Sequence, residues 1–530
     1  MDDFTSKNVE LIPMVAKILG REILSYVLAI DAGSIEKLIR EGGLISKKQS
    51  DALKQLDGIA QHARGVSGDT PRLGYAAQRT IEEITLRYGK ALFSELRESC
   101  AGKRLKLPIK NDPVLDALIL LCEIVYPYVL IPIKTLWERE IFVPNLYGLK
   151  EEDTFEDAVL NDEFIRILFH DDVAGNGKCG LRYDSIGVGG GVQSVAWSRT
   201  ILENAALAMM LRCGSFEDFV EAACQQVLAV RAALQEKEVS VPAFALFVGT
   251  GLTVDQQIDL GGRYLYPVNR NCIDLFPVGA RPSTSESDII GFILEVSIEY
   301  RLTVFPEEPK REDQKWPVEL TTQSLFEKVT NIELGVTLSG EGGGLVKARN
   351  TASIIINPTN NSGMMYKSDS GSQAEPRILN LEDLDRIRRW VDALDVVDTS
   401  HIRLALRRYL SATNERADNE DALIDAVIGL ENLFGERTEI AFSVCNSVAR
   451  LLGDTEEKKN EIFSSINKVY KARSKIVHGQ KEYSPKELRD FRVEAVSFLA
   501  ESLKCIFMQH QDLANMKGPV RSRKIALGNY

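Results

Sequence analysis

The 530-residue sequence contains few of the residues that build metal or disulfide sites. It has five histidines, and its eight cysteines include no CxxC pair and no dense cluster. A zinc site made from His and Cys needs ligand pairs close together, so none is predicted. Scattered cysteines in a chain of this length indicate reduced, mostly buried thiols and a cytoplasmic protein.

Motifs of nucleotide-binding proteins and of serine hydrolases are also missing. The sequence contains no GxxxxGK[ST], no strand-GxGxxG-helix unit and no GxSxG. Glycine clusters at 187–191 and 340–344 are typical of flexible turns. The triplet His170-Asp171-Asp172 is more typical of a polar helix end than of a metal site. We therefore predict neither a cofactor nor a metal.

Secretion and membrane insertion are not expected either. The N-terminal MDDFTSKNVE has no apolar signal core. The apolar stretch 114–133 has the length of a membrane span, but it contains Asp116, Glu123, Pro127 and Pro132. Carboxylates at mid-membrane cost several kcal/mol, so we predict a buried core helix that ends near Tyr126 or Pro127.

Charge is distributed unevenly along a chain of net charge −12. Residues 1–110 hold 18 Lys and Arg against 14 Asp and Glu, and residues 398–530 hold 21 against 19. The middle, 111–397, holds 25 against 43 and so carries −18. This asymmetry predicts different partners for the ends and the middle, and leaves nucleic-acid contact open to the ends.

Hydrophobic periodicity predicts a multidomain α+β protein. We expect an all-α N-terminal region, a middle of mixed helices and strands, and an all-α C-terminal bundle. Segment 333–340 (ELGVTLSG) is among the runs with a β-type pattern. The predicted units are a helical region at 1–110, a mainly helical region at 111–240, a β-rich region at 241–357, a flexible linker at 358–376, a helical domain at 377–515 and a basic tail at 516–530.

The N-terminal helices are compatible with a helix-turn-helix arrangement. A short turn, Asp31-Ala32-Gly33-Ser34, separates two of them, and Ser34 is expected to cap the following helix. In a DNA-binding arrangement Lys37 and Arg40 would face a groove or phosphates. The alternative is an ordinary helical hairpin with its basic residues on a solvated face.

The most informative segment is 461–479, EIFSSINKVYKARSKIVHG. Its apolar residues form a helical stripe, and Gly479 is expected to end the helix. Arg473 and His478 are about 140° apart on an ideal helix, so they converge only if the helix relaxes or if two copies meet. Arg and His together suit RNA cleavage, because His transfers protons and Arg neutralises charge on the phosphate.

This segment resembles a known family. The run Arg473-Ser474-Lys475-Ile476-Val477-His478 fits the Rx4H motif of HEPN domains, and KVYKARSKIVHG closely resembles their Apea-like branch. Segments 421–434 and 439–453 are similar to the first and second core helices of that branch. The resemblance covers roughly 381–510, a quarter of the chain.

The resemblance implies a helical bundle that forms a homodimer with the two motifs facing, and a metal-independent endoribonuclease that acts on RNA in antiphage defence or as a toxin. It makes Arg473 and His478 the catalytic pair and gives Glu431 the role of orienting the arginine. Ser474 departs from the usual Asn, Asp or His. We expect the acidic middle to sense or restrain, covering the RNA site. The alternative is a non-catalytic nucleic-acid-binding regulator whose HEPN domain only dimerises.

Overall fold

The computed structural model shows a mixed α+β chain, which confirms the broad fold class. It describes residues 4–5, 9–67, 76–77, 79–83, 92–103, 105–134, 139–141, 143–169, 179–186, 189–254, 256–281, 290–305, 318–340, 348–367, 377–436 and 438–530.

The N-terminal region is helical, with one short strand pair. Two-residue strands β1 (Phe4–Thr5) and β2 (Ile45–Ser46) pair antiparallel, so the prediction of an all-α region is wrong in this detail. Apolar residues at helical spacing, such as Ile12, Leu24 and Leu53, meet in one core. The helices are α1 (Ile12–Leu19), α2 (Arg21–Leu28), α3 (Ala32–Glu41), α4 (Lys47–Ser67) and α5 (Leu92–Ser99).

The start of α3 differs from the sequence prediction. Asp31, not Ser34, is the capping residue, because its Oδ1 accepts a hydrogen bond from the Ser34 backbone N–H at 2.9 Å. Ser34 lies inside the first turn and donates its hydroxyl to Asp31 Oδ2 at 2.6 Å. An aspartate at this position satisfies free N–H groups and opposes the positive end of the helix dipole.

The apolar stretch expected to form a core helix does so. Helix α6 (Pro113–Val129) is capped by Asp112 and buried, but it ends later than predicted, with Pro127 inside its last turn. Tyr128 and Val129 are buried beyond the proline, and their packing holds that turn. None of the helices in the described part of the chain combines the length and apolar composition needed to cross a bilayer.

Three further helices pack with α6. They share a core that includes Phe155, Trp197 and Phe219. Their bounds are α7 (Lys150–Asn161), α8 (Ser194–Leu211) and α9 (Phe216–Leu234). This part of the chain also holds four strands, β3 (Ile133–Lys134), β4 (Arg139–Glu140), β5 (Cys179–Asp184) and β6 (Gly189–Gln193). The predicted turn at 187–191 is therefore wrong for 189–191, which pair with β5.

A six-stranded antiparallel sheet forms the centre of the middle region. Its strands are β7 (Val239–Val248), β9 (Ile258–Asp259), β10 (Tyr264–Pro267), β11 (Gly291–Tyr300), β13 (Arg349–Ile355) and β14 (Met364–Tyr366). They lie side by side in the order β14-β13-β7-β11-β10-β9. The long central strands β7 and β11 are almost wholly apolar and buried, which matches a sheet covered on both faces.

Smaller pairings connect this sheet to its surroundings. Strand β12 (Leu302–Phe305) leaves β11 and pairs with β5, forming a three-stranded sheet in the order β12-β5-β6. Strand β8 (Thr250–Leu252) pairs in parallel with β15 (Arg377–Leu379). A one-turn helix, α10 (Arg270–Ile273), follows β10.

Two sequence predictions in the middle are wrong. Residues 333–338 are the end of helix α11 (Val318–Leu338), not a strand, because Leu334 and Leu338 pack into the C-terminal core while Ile332 and Val336 pack on the sheet side. The first part of the expected linker belongs to the sheet region: Thr359 is buried and residues 364–366 form β14. Residues 368–376 of that linker, and the loop at 306–317, lie outside the described residues.

The C-terminal part is an all-helical bundle around one apolar core. Helices α13 and α14 are joined by a π-helical turn, Ser411–Glu415. Residues 516–530, expected to form a separate basic tail, belong to the bundle. Their helix, Gly518–Ala526, packs on the helices Asn419–Phe434 and Ile440–Leu452, and Arg521 is fully buried. The bounds are α12 (Leu381–Val396), α13 (Arg403–Leu410), α14 (Asn419–Phe434), α15 (Ile440–Leu452), α16 (Glu456–Val477), α17 (Pro485–Met508), α18 (Gln511–Ala514) and α19 (Gly518–Ala526).

Candidate functional site

The Rx4H motif lies at the C-terminal end of α16, a 22-residue helix. Thr455 caps its start by accepting a hydrogen bond from the Lys458 N–H. Ile462, Ile466 and Val469 are buried, which fixes one face against α14, α15 and α17. The helix thus presents its other face, including the motif, to solvent.

Gly479 ends this helix, as the sequence predicts. Its φ of +61° is left-handed, a conformation in which glycine has no side-chain penalty. The Gly479 N–H donates to the Ile476 carbonyl at 3.0 Å, and the Gln480 N–H to the Lys475 carbonyl at 2.8 Å. This Schellman arrangement makes His478 the last residue before the chain turns away.

Arg473 is half-buried. Within the described ranges, it is the one arginine that has a buried Nε without a partner and forms no hydrogen bond or ion pair through its other guanidinium nitrogens. Its two terminal nitrogens are therefore free to donate to an incoming phosphate.

His478 and Ser474 are both exposed. The His478 backbone N–H donates to the Ser474 carbonyl at 3.1 Å, so the turn between them is still helical. The helix stays regular through Val477, and the relaxation that would bring His478 next to Arg473 does not occur. Within one chain the two side chains are therefore not paired.

Glu431 on α14, expected to orient Arg473, makes a hydrogen bond with Tyr470. Glu431 Oε1 accepts a hydrogen bond from the Tyr470 hydroxyl at 3.0 Å. Burial raises the pKa of Tyr470 strongly, the Glu431 carboxylate raises it further, and the nearby Arg473 charge lowers it. Tyr470 thus contacts Glu431 and lies close enough to Arg473 to respond to its charge.

Sequence reasoning missed Tyr470 as a site residue, because it counted this tyrosine in the apolar stripe. A signal was present: Tyr470 precedes Arg473 by three residues, so the two side chains share one face of the helix. The basic side chains of Lys471 and Lys475 are also exposed near the motif. Lys481 lies 4.2 Å from the centre of the Tyr483 ring. These positive charges favour a polyanion at this end of α16.

Three large apolar side chains are exposed on the helices α15 and α16. Ile440 is 41% exposed, Phe442 58% and Val477 49%. The Phe442 ring contacts the partly buried Phe463 ring edge-on at 5.8 Å between centroids, whereas Val477 lies at the far end of α16.

The N-terminal candidates Lys37 and Arg40 are exposed on α3. Arg40 donates to Glu36 at 2.8 Å, and Glu36 also pairs with Arg21. The charge that Arg40 would offer to a phosphate is therefore partly neutralised inside the region.

Metal-ligand geometry is absent from the described part of the chain, where no three His, Cys, Asp or Glu side chains lie close enough to hold an ion. The triplet His170-Asp171-Asp172 lies outside the described residues.

In comparisons with known proteins, no family model, no curated protein and no solved structure matches the chain. The resemblance to HEPN domains therefore rests on the motif residues and the helices that carry them.

Proposed function

We propose that the chain is a metal-independent endoribonuclease of the HEPN type, acting in antiphage defence or a toxin-like stress response. The observation that carries this proposal is the state of Arg473, a half-buried guanidinium at the exposed end of α16 that pairs with no carboxylate of the described residues, five positions before an exposed His478. A guanidinium without a partner at a helix end can accept a phosphate without first breaking an existing ion pair.

The chemistry proposed for this pair is transfer of an RNA phosphodiester to the neighbouring hydroxyl. The ribose 2′-oxygen attacks the phosphorus, its proton leaves to a base, and the 5′-oxygen departs with a proton. His478 is the proton-transfer group, and Arg473 neutralises the extra negative charge on the phosphate in the transition state. The products are a 2′,3′-cyclic phosphate and a 5′-hydroxyl, with no water consumed.

The proposed active form is a homodimer through the C-terminal bundle. Arg473 and His478 are five positions apart, about 140° around a regular helix, so two chains are proposed to combine them at one phosphate. Two antiparallel copies would bring the arginine of one chain near the histidine of the other. The exposed apolar side chain of Val477, next to His478, is available for such a contact.

The proposal that the N-terminal and middle regions sense or regulate needs one change. Because Ser474 and His478 are exposed, the acidic middle of the same chain does not cover them. Regulation through the dimer contact remains compatible with this exposure. Deletion of 111–397 that leaves RNA cleavage and toxicity unchanged or lower would contradict any restraining role.

The experiment compares RNA cleavage by the purified full-length wild type with that by Arg473→Ala and His478→Ala, in the presence of a chelator. Each variant should lose at least about 100-fold in rate, because each removes a charge or proton-transfer step. Arg199→Ala and His62→Ala, which alter exposed residues of the same types on helices of other regions, should keep wild-type activity.

The rival proposal is a DNA-binding regulator whose C-terminal bundle only dimerises. It predicts that wild type and both motif variants behave alike with RNA. It also predicts salt-sensitive binding of duplex DNA that Lys37→Ala and Arg40→Ala weaken. The pairing of Arg40 with Glu36 makes this the weaker of the two proposals.

A further inference from the structure

A second chemically distinct site lies in the middle region, where two cysteines from different segments meet. Cys213 follows the end of α8, and Cys272 belongs to the short helix α10. They are 59 positions apart in the sequence, yet both sulfur atoms contact the same residue, Asn269. The thiols are thus neighbours through the fold, although the sequence contains no CxxC motif.

Asn269 holds both sulfur atoms. Its side-chain Nδ2 donates to Cys213 Sγ at 3.0 Å, and its backbone N–H donates to Cys272 Sγ at 3.2 Å. Its Oδ1 accepts from the Cys272 N–H at 3.0 Å, which fixes the orientation of the amide. One residue therefore sets the relative position of the two thiols.

The two cysteine segments are also tied to the same carboxylate. Arg212, which precedes Cys213, donates its Nε to Glu295 Oε2 at 2.8 Å. Tyr266, on the strand that leads to Cys272, donates its hydroxyl to the same oxygen at 2.8 Å. Cys213 itself has a left-handed backbone, φ +53°, which the turn after α8 holds through the Gly214 N–H bond to the Met209 carbonyl.

Access to the two thiols is unequal. Cys213 is exposed, whereas Cys272 is fully buried. Cys213 faces a surface cavity of about 470 Å³ that Arg212, Tyr266 and Glu295 also line. The neighbouring Cys272 thiol lowers the pKa of Cys213, whereas the proximity of Cys213 and burial raise the pKa of Cys272. Cys213 is therefore the thiol that ionises and reacts first.

We propose that Cys213 and Cys272 form a redox-active dithiol, a modification site at which a peroxide converts the pair into a reversible intramolecular disulfide. The site stands apart from Arg473 and His478 and does not depend on the proposed ribonuclease.

The reaction balances in two steps. The Cys213 thiolate attacks one oxygen of hydrogen peroxide, the O–O bond breaks, and a sulfenic acid and one water result once the leaving hydroxide takes a proton. The Cys272 sulfur then attacks the sulfenic sulfur, its proton leaves with the hydroxyl group, and a second water departs. Two thiols are oxidised by two electrons, one peroxide is reduced to two waters, and a dithiol reductant reverses the change.

Cys122 and Cys224 provide a matched comparison inside the same protein. Both are buried in the same apolar core, where burial raises the pKa of each. Thiols that are neither exposed nor ionised should not react with peroxide in the folded chain.

The test treats the reduced full-length protein with hydrogen peroxide and maps its disulfides by mass spectrometry without reduction. We expect a peptide pair joined through Cys213 and Cys272, a loss of two of the eight thiols and full recovery with dithiothreitol. Cys213→Ser should abolish the crosslink and leave Cys272 reduced. Cys224→Ala should form the crosslink as the wild type does.

A second readout covers the step before the disulfide. In Cys272→Ala the sulfenic acid on Cys213 should persist, so that a 1,3-diketone probe labels Cys213 at least about tenfold more than in wild type. If Cys272→Ala does not fold, the Cys213→Ser result and the wild-type map still decide the matter. Oxidation that stops at a Cys213 sulfinic or sulfonic acid in the wild type, a crosslink to another cysteine, or no loss of thiols would each overturn the proposal.

Discussion

Arginines of the middle region form ion pairs with carboxylates, whereas the arginine at the end of α16 does not. In the middle region, Arg182 pairs with Asp184 at 2.7 Å, both side chains being almost wholly buried. Arg231 likewise pairs with Asp112 and Asp162. At the end of α16, Arg473 is half-buried and pairs with no carboxylate. Paired cations hold elements together, whereas an unpaired one is available to a ligand.

The fully buried arginines of the C-terminal bundle make hydrogen bonds to backbone carbonyls. Arg521 donates to the carbonyls of Leu513, Leu433 and Met516 at 2.6 to 2.7 Å. Arg492 donates to the Ala412 carbonyl in the π-helical turn. The lack of a partner at Arg473 is thus a property of this position and not of the bundle.

The largest effect that separates the two regions should come from Asp184→Ala. It leaves the Arg182 guanidinium buried without its counter-ion and removes the acceptor of Asn357 and Thr359. We expect a loss of about 3–5 kcal/mol in the free energy of unfolding, measured with urea. Arg473→Met should change it by less than about 0.5 kcal/mol. Equal losses in the two variants would remove the distinction between structural and available arginines.

A buried carboxyl provides the next test, through pH. Burial raises the pKa of Glu152 from its ordinary value of 4.5 to about 7. The unfolded chain therefore loses this proton at lower pH than the folded chain, and stability should fall as the pH rises from 4.5 to 7. Glu152→Gln should remove that fall and gain about 2–3 kcal/mol over wild type at pH 8.

The exposed neighbour Asp153 offers a control for Glu152. Asp153→Asn should follow the wild-type dependence of the unfolding free energy on pH. An advantage of Glu152→Gln that is the same at pH 4.5 and pH 8 would contradict the assignment of the effect to ionisation of this carboxyl.

Tyr470 sharpens the comparison at the candidate site itself. Tyr470→Phe removes the hydrogen bond to Glu431 and frees that carboxylate to pair with Arg473, making the site resemble the paired arginines of the middle. RNA cleavage should fall about tenfold. Glu431→Gln keeps a hydrogen-bond acceptor without the charge and should retain activity. Higher activity in Tyr470→Phe than in wild type would show that Tyr470 does not keep Glu431 from pairing with Arg473.

The smallest predicted effect concerns the turn that places His478. Gly479→Ala introduces a side chain at φ +61°, with no neighbouring atom within 4 Å, so only the backbone is strained. Thermal unfolding should show a loss of about 1 kcal/mol. Gly58→Ala, in the interior of α4 and also without close neighbours, should instead stabilise by a similar amount. Stabilisation by both changes would argue against the left-handed turn.

Helix ends and apolar strands could be predicted from short stretches of sequence. Gly479 ended its helix as expected, and the apolar runs of β7 and β11 became buried strands. The prediction of a strand at residues 333–338 was wrong. Their β-branched side chains suit a strand, but the packing of Leu334 and Leu338 into the C-terminal core favours a helix.

The candidate site was predictable only in part for the same reason. Arg473 and His478 are adjacent to a helix end that the sequence reveals. The hydrogen bond between Tyr470 and Glu431 joins residues 39 positions apart, and Asn269 brings Cys213 and Cys272 together from two distant segments. Such pairs depend on tertiary packing, which no local pattern encodes.

The most direct test of the central proposal is the chemistry of the RNA ends. Wild-type protein incubated with end-labelled RNA and a chelator should yield 2′,3′-cyclic phosphate and 5′-hydroxyl ends, and Arg473→Ala and His478→Ala should yield neither. Cleavage by both variants at the wild-type rate, or products with 3′-hydroxyl ends, would contradict the assignment of Arg473 and His478 as the catalytic pair.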